Sequence, residues 1–341
     1  MYKTVVTRIK LTTMCPNWPW ARQTPGGRGI WENAEFVIDQ FGACADWWFV
    51  YDDLTRAETV QIQNGVAVLI TPEPPALKKY PQKFLDQFDW VITSDREIEH
   101  PGRVLMQQGL PWHVGRKQAA GRSLSFSKDY DELKSLWPIP KTKLISVIAS
   151  DKRHTPGHRA RFDFVERLKK HFGERLDVFG WGGREIPDKW DGIAPYKYHI
   201  AIENSAQPDY WTEKLSDAYL AGAFPIYYGA PNIHDYFPAE CLRLIDINNA
   251  VGAIDQIEES LKDDPSGSQK LKVCRDLVLD QYNLFTLIAG FAVGRQRRDV
   301  ATATRTLIPI SAFIPKPTWL ARVARRLRGS FKSEPINTRP C

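Results

Sequence analysis

The chain has no apolar run approaching the roughly 20 residues that cross a bilayer as a helix. Its opening residues, MYKTVVTRIKL, alternate apolar and polar side chains as a strand does, with no apolar stretch behind them, so a signal peptide is not expected. Cysteine is sparse: Cys15, Cys44, Cys241, Cys274 and Cys341 are odd in number and widely scattered, with neither a CxxC pair nor a zinc spacing. Reduced thiols in a cytoplasm are the expectation. The body also lacks excess positive charge. The net charge is +6, and seven basic residues against one acid from Pro315 onward account for it, leaving residues 1–314 close to neutral. That argues against a nucleic-acid-binding body, whose basic residues would crowd a face of the fold itself. Two phosphate or metal patterns are missing as well. Gly180-Trp-Gly-Gly183 lacks GxGxxG spacing and reads as a turn. The literal Asp-x-Asp, Asp129-Tyr-Asp131, lies in a capping box with Glu132, so no metal ligand is expected there. His100 and His113 show no metal spacing either.

What is present is a globular balance, 43% hydrophobic and 25% charged, in 341 residues, which suits two domains. Twelve tryptophans are many for this length, and each by itself reads best as core. The Pro-rich LWPIPKTK at 136–143 separates two halves. In the first, strands are predicted at 3–10, 46–51, 66–71 and 88–93, a helix around 31–41 and a capped helix after Asp129. In the second, strands at 143–150, 176–180, 196–204, 224–228 and 242–247 alternate with helices at 159–172, 210–221 and 251–262. That rhythm predicts a parallel sheet covered on both faces, a nucleotide-binding architecture.

The most informative stretch is YKYHIAIENSAQPDYWTEKLSDAYLAGAFPIYYG, residues 196–229, a strand, loop, helix and strand. Ligands bind in the loop after such a strand. Here it carries Glu203, Asn204 and Ser205, then Asp209 as an expected N-cap, and Tyr210, Thr212, Glu213 and Lys214 open the helix. A helix N-terminus with a lysine suits a pyrophosphate, and Glu213 suits ribose hydroxyls. From spacing alone, an ordinary capped helix with an exposed Glu and Lys accounts for the segment equally well.

The stretch resembles the signature of glycosyltransferase family 10, the α-1,3-fucosyltransferase family, in its bacterial type. The matching residues are Ile202-Glu203-Asn204-Ser205, Tyr210-Trp-Thr212-Glu213-Lys214, Ala221-Gly222 and Pro225 through Gly229. The resemblance implies a GT-B arrangement, two Rossmann-like α/β domains facing a cleft, and GDP-fucose as donor. It implies donor contacts from Ser150, Arg161, Glu203, Asn204, Tyr210, Glu213 and Lys214, with Arg161 on the phosphates and Arg159 the weaker candidate. His199, where some members have tyrosine, is left as a ring contact. Inversion needs a base that takes the proton of the attacking hydroxyl. The family uses a glutamate after a first-half strand; here that role falls to Glu73 in Thr-Pro-Glu-Pro, where the family has a Gly-Glu-Asn-like turn. Pro-rich turns also occur for structural reasons alone.

With Arg161, Lys214 and a helix end on the diphosphate, no cofactor and no essential divalent metal are expected. In the tail, Trp319, Leu320, Val323, Leu327 and Phe331 share a helical face among five basic residues. It reads as a helix on an anionic membrane, or else as a solvated basic extension. Family members from bacteria have similar tails. The expected organisation is 1–137 on the acceptor side, 138–315 binding a GDP-sugar, and 316–341 as tail. The enzyme is expected in the cytoplasm on the inner face of the cell membrane, its partners a GDP-sugar, a glycan acceptor and the membrane, not nucleic acid. Another GDP-sugar, or a catalytically silent glycan- or nucleotide-binding protein, remain alternatives.

Overall fold

The computed structural model describes residues 6–118, 124–151, 153, 155–180, 186–295 and 302–314. The tail, and Gly182 and Gly183 of the glycine turn, lie outside them. Two sheets dominate. The first is built from β1 (Thr7–Thr13), β2 (Ile30–Trp31), β3 (Ala34–Ile38) and β4 (Trp47–Tyr51), joined by β6 (Ala67–Ile70), β7 (Trp90–Thr93) and β8 (Arg103–Leu105). Its order is β2-β3-β1-β4-β6-β7-β8, parallel except for the β2–β3 pair. β5 (Glu58–Ile62) stands apart from it, and a short α1 (Gln82–Leu85) lies between β6 and β7. The helix predicted at 31–41 is instead the β2–β3 pair. Its apolar positions fit both periods, but Glu32 takes φ 49° in the turn and Phe36-Val37-Ile38 pairs in register with Ile9-Lys10-Leu11.

A small antiparallel pair, β9 (Arg116–Gln118) and β10 (Leu124–Phe126), precedes α2 (Tyr130–Ser135), which opens on the expected capping box of Asp129 and Glu132. The second half then runs β11 (Lys143–Ile148), α3 (Pro156–Phe172), β12 (Leu176–Phe179), α4 (Lys189–Ile193), β13 (Tyr196–Ile202), α5 (Glu213–Leu220), β14 (Phe224–Tyr228), β15 (Arg243–Leu244), α6 (Ala250–Ser260) and α7 (Gln269–Asp276). Its sheet, β12-β11-β13-β14-β15, is parallel throughout. α3 and α6 cover one face, with Phe164, Val165 and Ile257 against Ile145 and Ile200. α5 and α7 cover the other, so strands buried on both sides read as nearly continuous apolar runs.

The chain crosses between the sheets earlier, and returns sooner, than the spans 1–137 and 138–315 expected. Trp112, Val114 and Leu133 share the core of α5 and α7. The Asp217 carboxylate of α5 accepts the His113 and Val114 N–H groups at 2.9 and 3.1 Å, and Asp188 accepts that of Gly115 at 2.8 Å. These acceptors satisfy a backbone that would otherwise be buried without partners. After Tyr282, α8 (Leu284–Gly294) lays Phe285, Ile288 and Phe291 on the first sheet, and β16 (Ala303–Leu307) pairs antiparallel with β5. α8 is apolar on nearly every side, so periodicity alone could not assign it to a sheet. Cys44, Cys241 and Cys274 are free thiols, whereas Cys15 is disulfide-bonded, which departs from the expectation of reduced thiols throughout.

Candidate active site

The expected donor residues converge where β11 and β13 end. Arg161, on the second turn of α3, is buried and donates to Asn204 Oδ1 at 2.5 Å and Ser150 Oγ at 2.9 Å. Gly157 makes this possible: a Cβ there would sit 2.0 Å from the Asn204 carbonyl oxygen, so only glycine lets the first turn of α3 lie on the loop after β13. Burial lowers the Arg161 pKa, and the charges of Glu203 and Glu213 work against that. Arg159 turns elsewhere and donates to the Arg153 carbonyl.

Across the loop, α5 is capped by Thr212, whose Oγ1 accepts the Lys214 N–H, and not by Asp209 as expected. Asp209 sits at φ 65°, a conformation Asp tolerates better than most residues. Its carboxylate is engaged by Tyr236 at 2.7 Å, Asn232 at 2.8 Å and Arg96 of the first half at 2.9 Å. Lys214 Nζ lies 3.2 Å from Glu203, 3.3 Å from Glu213 and 3.0 Å from Thr212 Oγ1. Burial alone would lower the Lys214 pKa; Glu203 and Glu213 outweigh it and raise it. Glu213 Oε1 also faces Lys189 at 3.4 Å and His113 at 4.0 Å. Burial pushes Glu213 up, but Lys214, Lys189 and His113 together hold it well below the usual carboxylate range.

Glu203 is fully buried, and both carboxylate oxygens are taken by Thr212 and Lys214. Gly229 leaves room for it, since a Cβ there would meet Glu203 Cγ at 2.6 Å. The residue is thus placed to hold Lys214 and the cap, not to reach a ligand. Tyr210 is only 3% exposed. His199 is buried within β13, shares a hydrogen bond with Ser146 Oγ at 2.9 Å, and is driven by burial to a pKa of about 3, so it is a neutral core residue.

Glu73 follows β6 on the first half and is partly buried, with no hydrogen bond or ion pair among the described residues. Burial first, then Asp52, raises its pKa, while Lys214 of the other half opposes the rise. The structure therefore brings this expected base within electrostatic reach of the donor cluster. Sequence reasoning missed Lys189, which bridges Glu213 and Asp217 from a five-residue helix with no spacing signal. It also set His113 aside, although that ring packs 5.2 Å from Trp18 and faces Glu213.

Two largely parallel α/β sheets meeting at polar loops that carry these charges form a GT-B arrangement. A crystal structure of an α1,3-fucosyltransferase superposes with a TM-score of 0.50 at 18% identity, covering 86% of this chain and 91% of that one. The family model of the C-terminal part of glycosyltransferase family 10 (fucosyltransferase) matches residues 138–252. Among curated relatives, α-(1,3)-fucosyltransferase B of Drosophila melanogaster is 35% identical over 176 residues, 46% of this chain and 36% of the relative. α-(1,3)-fucosyltransferase FucT of Helicobacter pylori is 34% identical over 77 residues, 22% of this chain and 16% of the relative. The chain thus spans little more than a third of the former's length and less of the latter's.

Proposed function

We propose that the chain is an inverting glycosyltransferase that moves fucose from GDP-fucose to a hydroxyl of a glycan, an α-1,3-fucosyltransferase acting on a bacterial surface glycan. The observation that carries this reading is the placement of Arg161 and Lys214 around one loop, with Glu73 of the other half, unpartnered among the described residues, within electrostatic reach of Lys214. The acceptor oxygen attacks the anomeric carbon while Glu73 takes its proton. The bond to GDP breaks with its electron pair, and the charge that develops on the diphosphate is met by Arg161, Lys214 and the N–H groups opening α5. A base whose proton affinity is raised by burial suits this step. Since the two side chains supply cationic charge, we read the reaction as needing no divalent metal. The enzyme would work in the cytoplasm, held on the inner face of the cell membrane by residues 316–341.

A panel of GDP- and UDP-sugars tests this, scored by nucleotide release with a lactosamine acceptor and with extracted lipid-linked glycan, in chelator. GDP-fucose should be consumed fastest. Faster release from another GDP-sugar changes the donor, and GDP binding without any release makes the chain a silent binder.

A further inference from the structure

The loop that carries Glu73 is tied down at both ends. Where it leaves β6, the Thr71 N–H donates to the Ile92 carbonyl at 3.0 Å, and the Thr71 hydroxyl donates to that of Thr93 at 2.7 Å. Beyond Glu73, Lys78 Nζ and the Tyr80 hydroxyl both donate to Asp52 Oδ1, each at 2.6 Å. Asp52 follows β4, the neighbour of β6 in the sheet, and its own N–H donates to the Ile70 carbonyl at 2.9 Å. One residue thus holds the end of β6 through its backbone and the far end of the loop through its side chain. Between the two anchors the Leu77 and Lys78 N–H groups close a turn on the Pro74 carbonyl at 2.9 and 3.1 Å. Pro74 is bonded to Glu73, so a restraint on Lys78 passes to Glu73 through that turn.

Asp52 is buried and sits at φ 76°. Aspartate takes this left-handed conformation more readily than most residues, yet it persists only where surrounding bonds enforce it. Tyr80 is seated in turn, its ring stacked on Phe84 at 6.3 Å, so the clamp is fixed to the core. Glu73 has no bond of its own among the described residues and takes its position from the loop.

We propose that Asp52 is a positioning residue for the reaction: by clamping the loop after β6, it holds the Glu73 carboxylate where the attacking hydroxyl can deliver its proton. The inference rests on the transferase reading of Glu73 and adds a residue that acts through it. The charged groups facing Glu73 are Asp52, Lys78 of its own loop, and Glu213 and Lys214 of α5, with the phenols of Tyr51, Tyr80 and Tyr210 nearby. After burial, Asp52 and Glu213 raise the proton affinity of Glu73 and the two lysines lower it. Removing the Asp52 charge must therefore lower it.

The test uses the full chain with Asp52→Gly and Asp52→Asn, both of which suit a left-handed backbone. Unchanged GDP affinity and a melting temperature near that of the parent check the fold. Transfer from GDP-fucose should fall about ten-fold or more in Asp52→Gly, in kcat and not in the KM for the donor. In a Glu73→Gln background the same substitution should cost less than about three-fold, because the group it positions is gone. Asp52→Asn keeps an oxygen for Tyr80 and should be the more active of the two. It should also move the acid limb of kcat/KM down by about half a pH unit or more. A carbon-13 NMR titration of the Glu73 carboxyl, assigned by its loss in Glu73→Gln, should shift the same way. Equal losses in the two backgrounds make Asp52 a structural residue only and overturn the proposal, as do parent-like transfer in Asp52→Gly or an unmoved titration in Asp52→Asn. A parent chain that transfers from no GDP-sugar would instead fail the transferase reading, and the titration would still decide the link between Asp52 and Glu73.

Discussion

Two glutamates, one in each half, show how differently the halves handle buried charge. Glu203 is sealed beneath the donor loop with Thr212 and Lys214 on both oxygens. Glu73 is partly buried with no partner of its own among the described residues, and burial raises its pKa. A carboxylate with both oxygens engaged is a structural part, fixed at the cost of its reactivity. One that is desolvated but unengaged keeps its affinity for a proton. On the proposed reading, the second half is organised to hold a shape for a charged ligand, and the first half to present one reactive oxygen.

The sharpest way to break this contrast is Glu73→Gln. Transfer should fall by roughly 10²–10⁴-fold while GDP affinity stays near that of the parent. In the parent, the carboxylate must be ionised to act, so kcat/KM should fall as pH drops through a value above the ordinary 4.5 of glutamate. A variant keeping more than a tenth of its activity would move the base elsewhere.

Lys214 sharpens the other side. Lys214→Met should cost about 3–5 kcal/mol of stability, because Glu203 would be left charged and buried without a counterion. Adding Glu203→Gln should restore most of that in chemical denaturation. GDP binding should stay weaker by about 1.5–3 kcal/mol in the double variant, the contribution of a charge-assisted contact. Full recovery of GDP affinity would make Lys214 purely structural.

Asp217 tests the seam between the halves. Burial lifts its pKa from 3.8 to about 6, so the folded chain binds that proton more tightly than the unfolded chain does. Its contribution to stability is present in full below pH 3.8 and is lost as pH rises through about 6. Asp217→Asn keeps an oxygen for the His113 and Val114 N–H groups and should lie within about 1 kcal/mol of the parent at pH 8. Asp217→Ala leaves both donors unmet and should lose about 2–4 kcal/mol. Equal losses for the two variants would mean that charge, not backbone satisfaction, holds the seam.

The smallest effect on chemistry is expected from the tail, outside the described residues. A chain ending at Pro317 should keep its rate on a soluble acceptor but leave anionic liposomes. The full chain should bind them with about 1 kcal/mol per basic side chain, and release them as salt shortens the Debye length from about 10 Å to 3 Å. A full chain that ignores such liposomes in low salt carries only a solvated extension.

The donor half was legible because its strands are apolar runs and its site residues lie within one contiguous segment at fixed offsets. Arg161 bonds Asn204, and Lys214 pairs with the neighbouring Glu203. The depth of Glu203 was not legible, since burial depends on Tyr227 and Gly229 from the next strand. The cap moved from Asp209 to Thr212 because three partners distant in sequence claim the aspartate. In the first half, WENAEFVIDQF matches helix and strand periods alike, and pairing with β1 decides between them. His113 gave no signal by itself, because its neighbours Trp18 and Glu213 lie 95 residues before it and 100 after it.

The pairing of β5 with β16 has a consequence for how this molecule is made. Thr59 and Thr306, bonded across that pair, lie 247 residues apart, and the donor half is synthesised between them. At roughly 5–20 residues per second, the ribosome needs on the order of ten to fifty seconds to deliver the second strand. α8 arrives only shortly before it, so during that interval the apolar face it later covers, including Phe36, Trp47 and Phe49, is open to wrong partners. The first half is the earliest to leave the ribosome and the last to be finished.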